Sequence, residues 1–519
     1  MKMEKNEIEV HRELEKLMLP QKEDKDDDIV EKSMGVMGRW QILICISVFL
    51  CKLPIAWHQL NIVLLAPPTV FSCVDNVTEQ CSSNCSNIVF DRSLFRNTIQ
   101  MEWNLVCERS QLVNIAQTIT MLGILVGNFI FGLLSDKFGR RNPLIWAVVI
   151  QLISGTAIAF TPWFWAFLIL RFISAAATGG TMVTSFVLVM EIIGTKWRTT
   201  LGILYQIPFN LGHLSLALIG YFIRDWHYIQ LAITLPSMLL ISYYWIIPES
   251  PRWLLAVGQP EKAIKVMEKA RRFNKIKANS IKDDVDVYMK KRSTEQAKGK
   301  FMDLVSTKNM RIKSICIFYN WIVCGLCFFG GAQYMGQLGG NVFVNIALSS
   351  VIQIPGTIFS IWFMEFFGRR YTLMGSDLLA GLSFLLISFI PEDSHWPRVL
   401  LGSLGMFGLS LCFPTVYIYS GELYPTVIRN IGVGTSSMFA RVGSMLAPFI
   451  AGLATYESWL APAIFGIVPL IGAALCYHLP ETKNCKLPET LEDAEKFVRN
   501  GKASIAPIPE ATLQVETRT

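Results

Sequence analysis

The chain has 519 residues, of which 52% are hydrophobic and 17% charged, with a formal net charge of +7. A mean hydropathy of +0.40 excludes an ordinary soluble globular class and makes the bilayer the expected solvent. The positive excess gathers in loops, where membrane topology accounts for it, so no nucleic-acid partner is implied.

Residues 1–38 form a charge-rich tail around Lys22-Glu23-Asp24-Lys25-Asp26-Asp27-Asp28, polar enough to be expected disordered over 1–37. The tail lacks a short apolar region ending in small residues, so no cleavable signal peptide is expected and the first span directs insertion. Apolar runs of about 20 residues, the length that crosses hydrocarbon as a helix, fall near 40–66, 111–134, 143–161, 163–190, 201–223, 227–247, 313–333, 341–364, 371–390, 397–420, 431–454 and 459–479. Twelve runs in two groups of six predict an all-α membrane protein. Its N-terminal half is 39–254, its linker 255–312, its C-terminal half 313–483 and its C-terminal tail 484–519.

The first loop, 67–110, carries three Lys and Arg against five Asp and Glu. Segment 255–313 carries sixteen against seven, which by the positive-inside rule makes it cytosolic. With an even span count both termini are then cytosolic and loop 67–110 lies outside, as in a plasma-membrane protein. The chemistry of that loop agrees. Cys73, Cys81, Cys85 and Cys107 are disulfide candidates with three possible connectivities, and the sequons at Asn76 and Asn84 are candidate glycosylation sites. The other eight cysteines lie in or beside apolar runs and read as small packing residues.

The loops also record a duplication. Asp136-Lys-Phe-Gly139-Arg140-Arg141 after the second run recurs as Glu365-Phe-Phe-Gly-Arg369-Arg370 after the eighth, 229 positions later. Glu191 and Arg198 recur as Glu422 and Arg429 at an offset of 231, and Pro248-Glu249 recurs as Pro480-Glu481 at 232. Three signals at one near-constant offset indicate a duplicated six-helix half, with a solute site expected between the halves. Acids, glycine and paired arginines at helix ends on one face predict charge clusters that close that face and break when it opens, a gating role.

These motifs resemble a known family. Gly132-x-x-Ser-Asp136-x-x-Gly139-Arg140-Arg141 resembles the hallmark loop of the major facilitator superfamily. The stretch Glu422 to Gly434, with Asn104-Leu-Val-Cys107, Pro480-Glu-Thr-Lys and Leu487-Pro-Glu-Thr490, resembles the organic cation, anion and carnitine transporters of solute carrier family 22. The likeness covers about 38–495 and implies a major facilitator fold without covalent chemistry.

Ionisable residues in midspan mark function by default. Arg441, ten residues into the eleventh run, is too deep to reach either surface and is expected to face the cavity. Lys52 is a second substrate-site candidate. Arg171 is weighed against a structural bridge between helices, and Asp377 is placed six residues into the ninth run, near its cytosolic end. The cavity is then net positive. By resemblance, cation carriers hold an aspartate at the Arg441 position, whereas anion and carnitine carriers hold an arginine. Thr357 stands where the anion carriers hold a lysine, and Gln353 where cation carriers hold a glutamate. Trp57, Tyr205, Trp321 and Phe328 offer ring faces to an ammonium group, at about 0.5–2 kcal/mol per contact. Tyr205, Gln206 and Trp321 match, by resemblance, positions lining the central cavity; His58 and His213 are weaker candidates.

The expected function is alternating-access transport of small organic ions, leaning to carnitine-like zwitterions or monoanions. The rivals are an organic-cation carrier and a non-transporting receptor on the same fold. No phosphate loop, nucleophile elbow or His-Glu-x-x-His pair is present, so neither an enzyme, a cofactor nor a metal is expected. The driving force then comes from the solute gradient, the membrane potential or a coupled ion.

Overall fold

The computed structural model describes residues 28–73, 88–276, 281–291, 301–485, 488 and 491–496. Among them, ten helices are long and apolar enough to cross a membrane: Arg39–Leu60, Cys107–Phe138, Arg141–Ile158, Phe164–Ile192, Thr195–Phe222, Trp226–Ile246, Lys308–Met335, Val342–Phe367, His395–Leu423 and Arg429–Thr455. Two more complete the expected twelve. Arg369–Ile387 is made less apolar by Arg369, Arg370 and Asp377, and Leu460–Cys476 is short at 17 residues. In chain order these are spans 1 to 12, with Arg369–Ile387 as span 9.

Spans 2, 3 and 4 pack together, as do spans 8, 9 and 10, and the halves meet where span 5 lies against span 8 and span 2 against span 11. The duplication exchanges these two seams, so one near-twofold relation generates both. Close approach depends on small residues. A Cβ at Gly127 of span 2 would overlap the carbonyl of Ala176 in span 4, and one at Gly356 of span 8 would overlap Ser410 in span 10. Gly127 and Gly356 are 229 positions apart, the same offset as the loop motifs.

Spans 1 and 5 are each broken in the middle. Span 1 is Arg39–Leu50 and Lys52–Leu60 joined at Cys51; span 5 contains Arg198–Leu204 and Ile207–Phe222 joined at Tyr205 and Gln206. Pro54 and Pro208 sit in the first turn of each second segment, where the missing N–H costs least but the preceding helix cannot run through. The linking residues keep right-handed helical angles but shift to i−3 hydrogen bonds, Cys51 N–H to the Val48 carbonyl and Gln206 N–H to the Ile203 carbonyl, a distortion tolerated at this depth where protein or a cavity surrounds it.

Part of the tail expected to be disordered is ordered. Ile29–Met34 is a short helix that buries Ile29, Val30 and Met34 against the linker helix Pro260–Asn274, and Asp28 pairs with Arg252 at 2.5 Å. Three apolar residues in one and a half turns suffice because the linker presents Ala263, Met267 and Ala270 to receive them. In the first loop, Phe71–Cys73 pairs antiparallel with Ile88–Phe90. Cys73 and Cys107 each take part in a disulfide, while Cys81, Cys85 and both sequons, Asn76 and Asn84, lie outside the described residues. Of the other eight cysteines seven are buried and Cys485 is exposed.

Candidate functional site

The two helix breaks face each other at the seam between the halves. Lys52, 3% exposed, begins the second segment of span 1, and its Nζ sits 4.2 Å from the centre of the Tyr205 ring at the break of span 5. The Tyr205 hydroxyl and Ser185 Oγ of span 4 are 2.5 Å apart. From the other half, Arg441 of span 11 donates from Nη2 to Met182 Sδ of span 4 at 3.4 Å, a weak acceptor. Lys52 and Arg441 thus bring two buried cations to this seam, one from each half. No ion pair reaches either of them among the described residues.

Rings connect the halves around these charges. Tyr205 meets Phe186 at 5.5 Å, Phe186 meets Tyr417 at 5.5 Å, and Tyr417 meets Trp321 at 5.2 Å. The belt continues through Phe413 to Phe328 at 5.9 Å and back to Phe209 of the first half at 6.2 Å. Trp321 Nε1 is held by Ser420 Oγ at 2.9 Å, which fixes the ring. Lys52, Tyr205, Arg441, Trp321 and Phe328 therefore share one constellation. Trp57 turns to the neighbouring Ser215 Oγ at 2.9 Å, while Gln206 stands just before the second segment of span 5 without a side-chain cap bond to it.

Gln353 and Thr357 are placed differently. Both are buried at the seam of spans 5 and 8, where Asn210 Nδ2 donates to Thr357 Oγ1 at 3.0 Å and to the Gln353 carbonyl at 3.3 Å. His213 Nδ1 lies 3.5 Å from Gln353 Nε2. Sequence reasoning passed over Asn210, Met182, Ser185, Phe186 and Tyr417. A signal for three of them was present in the repeat: Asn210 and Arg441 are 231 apart, as are Phe186 and Tyr417. The duplication places an arginine in one half where the other has an amide, and it brings two equivalent rings together between the halves.

Asp377 is also deeper than expected. It is fully buried eight residues into span 9, accepting a hydrogen bond from Cys412 Sγ at 3.1 Å inside the second half, away from the seam.

On the face that carries the linker, the repeated motifs form two matching clusters. Arg140 pairs through Nη2 with Glu191 at 2.8 Å and through Nη1 with the exposed Asp136 at 2.8 Å. Arg369 pairs with Glu422 at 3.0 Å, and its Nη1 turns to the Met364 carbonyl, while Glu365 is exposed and makes no ion pair among the described residues. Glu191 and Arg198, which recur together in the repeat, take separate partners: Arg198 approaches Asp28 at 3.8 Å. Arg429 likewise binds the Tyr424 carbonyl and Thr426 rather than Glu422.

The centre of each cluster is a carboxylate whose role the sequence did not disclose. Glu249 accepts from the backbone N–H of Arg140 at 2.7 Å and of Arg141 at 3.3 Å; Glu481 accepts from those of Arg369 at 2.9 Å and Arg370 at 3.1 Å. Each thus closes the N-terminus of span 3 or span 9, where the helix dipole favours negative charge. Gly139 and Gly368 adopt φ of +93° and +90°, and a Cβ on either would strike that carboxylate. Burial pushes the Glu249 carboxyl above the usual range, and the N–H groups of Ser250, Arg140 and Arg141 pull against it. Burial disfavours the Arg140 charge, yet Glu191 and Asp136 outweigh it and hold the guanidinium above its usual range. Arg141 and Arg370 also donate to carbonyls at the ends of spans 6 and 12, those of Tyr244 and Tyr477.

Twelve helices in two equivalent halves, broken spans facing a charged seam, and paired clusters on one face define the class of major facilitator transporters. The sequence profile of the family described as "Sugar (and other) transporter" matches residues 69–494. An organic cation transporter protein of Drosophila melanogaster is 38% identical over 440 residues, 83% of this chain and 79% of that one. Solute carrier family 22 member 3 of Mus musculus is 36% identical over 402 residues, 77% of this chain and 72% of that one. The inward-open xylose transporter XylE from E. coli superposes with a TM-score of 0.67 at 18% identity, over 88% of this chain and 100% of that one, a likeness of fold. The chain belongs to solute carrier family 22 of the major facilitator superfamily and is a multi-pass membrane transporter of small organic solutes.

Proposed function

We propose that the protein carries carboxylate-bearing zwitterions or monoanions, carnitine-like in chemistry, across the plasma membrane by alternating access. The observation that carries this reading is the pair of buried cations, Lys52 and Arg441, with no acidic partner among the described residues. A guanidinium has five N–H donors and binds a carboxylate through two of them, and here one weak sulfur acceptor occupies it. A substrate carboxylate supplies the missing charge, and an ammonium group on the same molecule finds ring faces in Tyr417, Trp321 and Phe413.

The halves then rock about the seam, with the Arg140–Glu191 and Arg369–Glu422 clusters stabilising the state closed toward the linker. The basic linker supports cytosolic termini and an outward-facing first loop. The solute gradient, the membrane potential or a coupled ion drives the cycle. A second reading, organic-cation transport, is favoured by the name of the Drosophila relative. Uptake of labelled carnitine, a simple monocarboxylate and tetraethylammonium by expressing and empty-vector cells at two membrane potentials decides between them. Preference for carnitine or the monocarboxylate supports the first reading; preference for tetraethylammonium supports the second.

A further inference from the structure

A third buried cation lies away from the central seam. Arg171 is seven residues from the Phe164 end of span 4, about 10 Å into the helix, and it is 4% exposed. Its Nε donates to Thr120 Oγ1 at 3.0 Å, its Nη2 to Gln117 Oε1 at 3.2 Å, and its Cζ lies 5.4 Å from the Phe167 ring. Every one of these partners is neutral, and no ion pair reaches Arg171 among the described residues. The arrangement bridges spans 4 and 2, but it leaves a full charge uncompensated at a depth where charge is costly.

Beside the guanidinium is a cavity of about 10 Å³, taken as the space open to the centre of a water-sized sphere, lined by buried side chains of spans 1, 2, 3, 4 and 6. Three polar atoms among the lining residues have no hydrogen-bond partner: His58 Nε2, Ser174 Oγ and Asn61 Oδ1. The wall is held in place, since Asn61 Nδ2 donates to Gln230 Oε1 at 3.3 Å and Gln230 Nε2 to the Gly155 carbonyl at 3.2 Å.

We propose that this cavity binds a monatomic anion, chloride under cellular conditions, as the counter-charge of Arg171. The space is too small for an organic solute. A single water would satisfy hydrogen bonds and leave the charge standing, whereas a halide removes both deficits. The Ser174 hydroxyl, the His58 ring in its Nε2–H tautomer and the remaining guanidinium N–H groups supply donors; Asn61 Oδ1 is an acceptor and takes no part. The site lies within the N-terminal half and is separate from Lys52 and Arg441, so it is independent of which solute is carried.

The test is thermal unfolding of the purified full-length protein in sodium gluconate, titrated with sodium bromide at constant ionic strength, together with bromide anomalous scattering from crystals. The midpoint should rise with bromide in the unmutated protein and in Arg441→Gln, and stay flat in Arg171→Gln. Ser174→Ala should need about tenfold more bromide for half of the effect, since one hydrogen bond to a charged group is worth about 1.4 kcal/mol or more. An anomalous peak should lie beside Arg171. No bromide dependence in the unmutated protein overturns the proposal, as does a dependence lost in Arg441→Gln and kept in Arg171→Gln. Should Arg171→Gln fail to fold, an unchanged bromide requirement in Ser174→Ala overturns it.

Discussion

Arg441 and Lys52 differ in what their neighbours allow them to do. Arg441 keeps nearly its whole donor fork available, because Met182 sulfur is a weak acceptor; Lys52 spends its charge against the Tyr205 face. If the guanidinium takes a substrate carboxylate, Arg441→Ala should lower uptake of a carboxylated substrate by roughly 2–5 kcal/mol, which is more than tenfold. Arg441→Lys, which keeps charge but not the fork, should fall between. Lys52→Gln should weaken uptake less, and uptake of tetraethylammonium should not fall in either variant. Initial rates at matched surface abundance check this, and equal loss of all three substrates would assign both residues to packing. Asp136, by contrast, makes an exposed pair with Arg140 of the kind worth about 0.3–0.5 kcal/mol. Asp136→Asn should leave uptake within about twofold, while Glu191→Gln, which strips Arg140 of its half-buried partner, should impair it clearly.

At the scale of single helices, the N-termini of spans 3 and 9 are the most constrained points. Gly139 and Gly368 combine a left-handed backbone with a carboxylate where a Cβ would stand. Gly139→Ala and Gly368→Ala should each cost about 1–3 kcal/mol, read as a lower unfolding midpoint and less protein at the surface. Glu249→Gln and Glu481→Gln keep an acceptor and lose only charge near the dipole, so about 0.3–1 kcal/mol is expected from each. A Gln variant more damaging than its Ala counterpart would show that the carboxylate, not the turn, sets the geometry.

At the scale of the whole molecule, the halves touch on either side of the central seam as well as at it. Toward the first loop, Gln111 Nε2 of span 2 reaches Tyr456 beyond span 11 at 3.4 Å, and Thr118 Oγ1 donates to the Met445 carbonyl at 3.0 Å. Toward the linker, Phe186 meets Tyr417. Rocking must part each level in turn. With exposed Cys485 replaced by Ser, a short bifunctional thiol reagent should stop transport in Phe186→Cys/Tyr417→Cys and in Gln111→Cys/Tyr456→Cys, and leave the single-cysteine variants active. Full activity in either cross-linked pair would exclude motion at that level. Topology is checked separately: glycosidase should shift gel mobility, and Asn76→Gln with Asn84→Gln should abolish the shift.

Much of this architecture is written in the order of residues. Hydrocarbon thickness makes twelve spans readable as apolar runs, and loop charge points to the face that carries the linker. The duplication is visible because its motifs sit at helix ends, where φ, dipole and charge restrict the residues that serve. Arg441 stood out because an ionisable side chain deep in an apolar run has few innocent explanations. The sequence could not say which residues meet across the seam. Asn210, Met182 and Tyr417 are ordinary span residues until spans 4, 5, 8, 10 and 11 are packed together, and contacts between distant segments leave no local pattern. Pairing within the clusters was equally hidden: the repeat shows that Glu191 and Arg198 recur together and names no partner for either, and folding delivers Arg140 to Glu191 and Glu249 to the start of span 3. Spacing along one helix fixes neighbours three and four residues apart, whereas the partner of a charge at a helix end is decided by whichever other helix ends beside it.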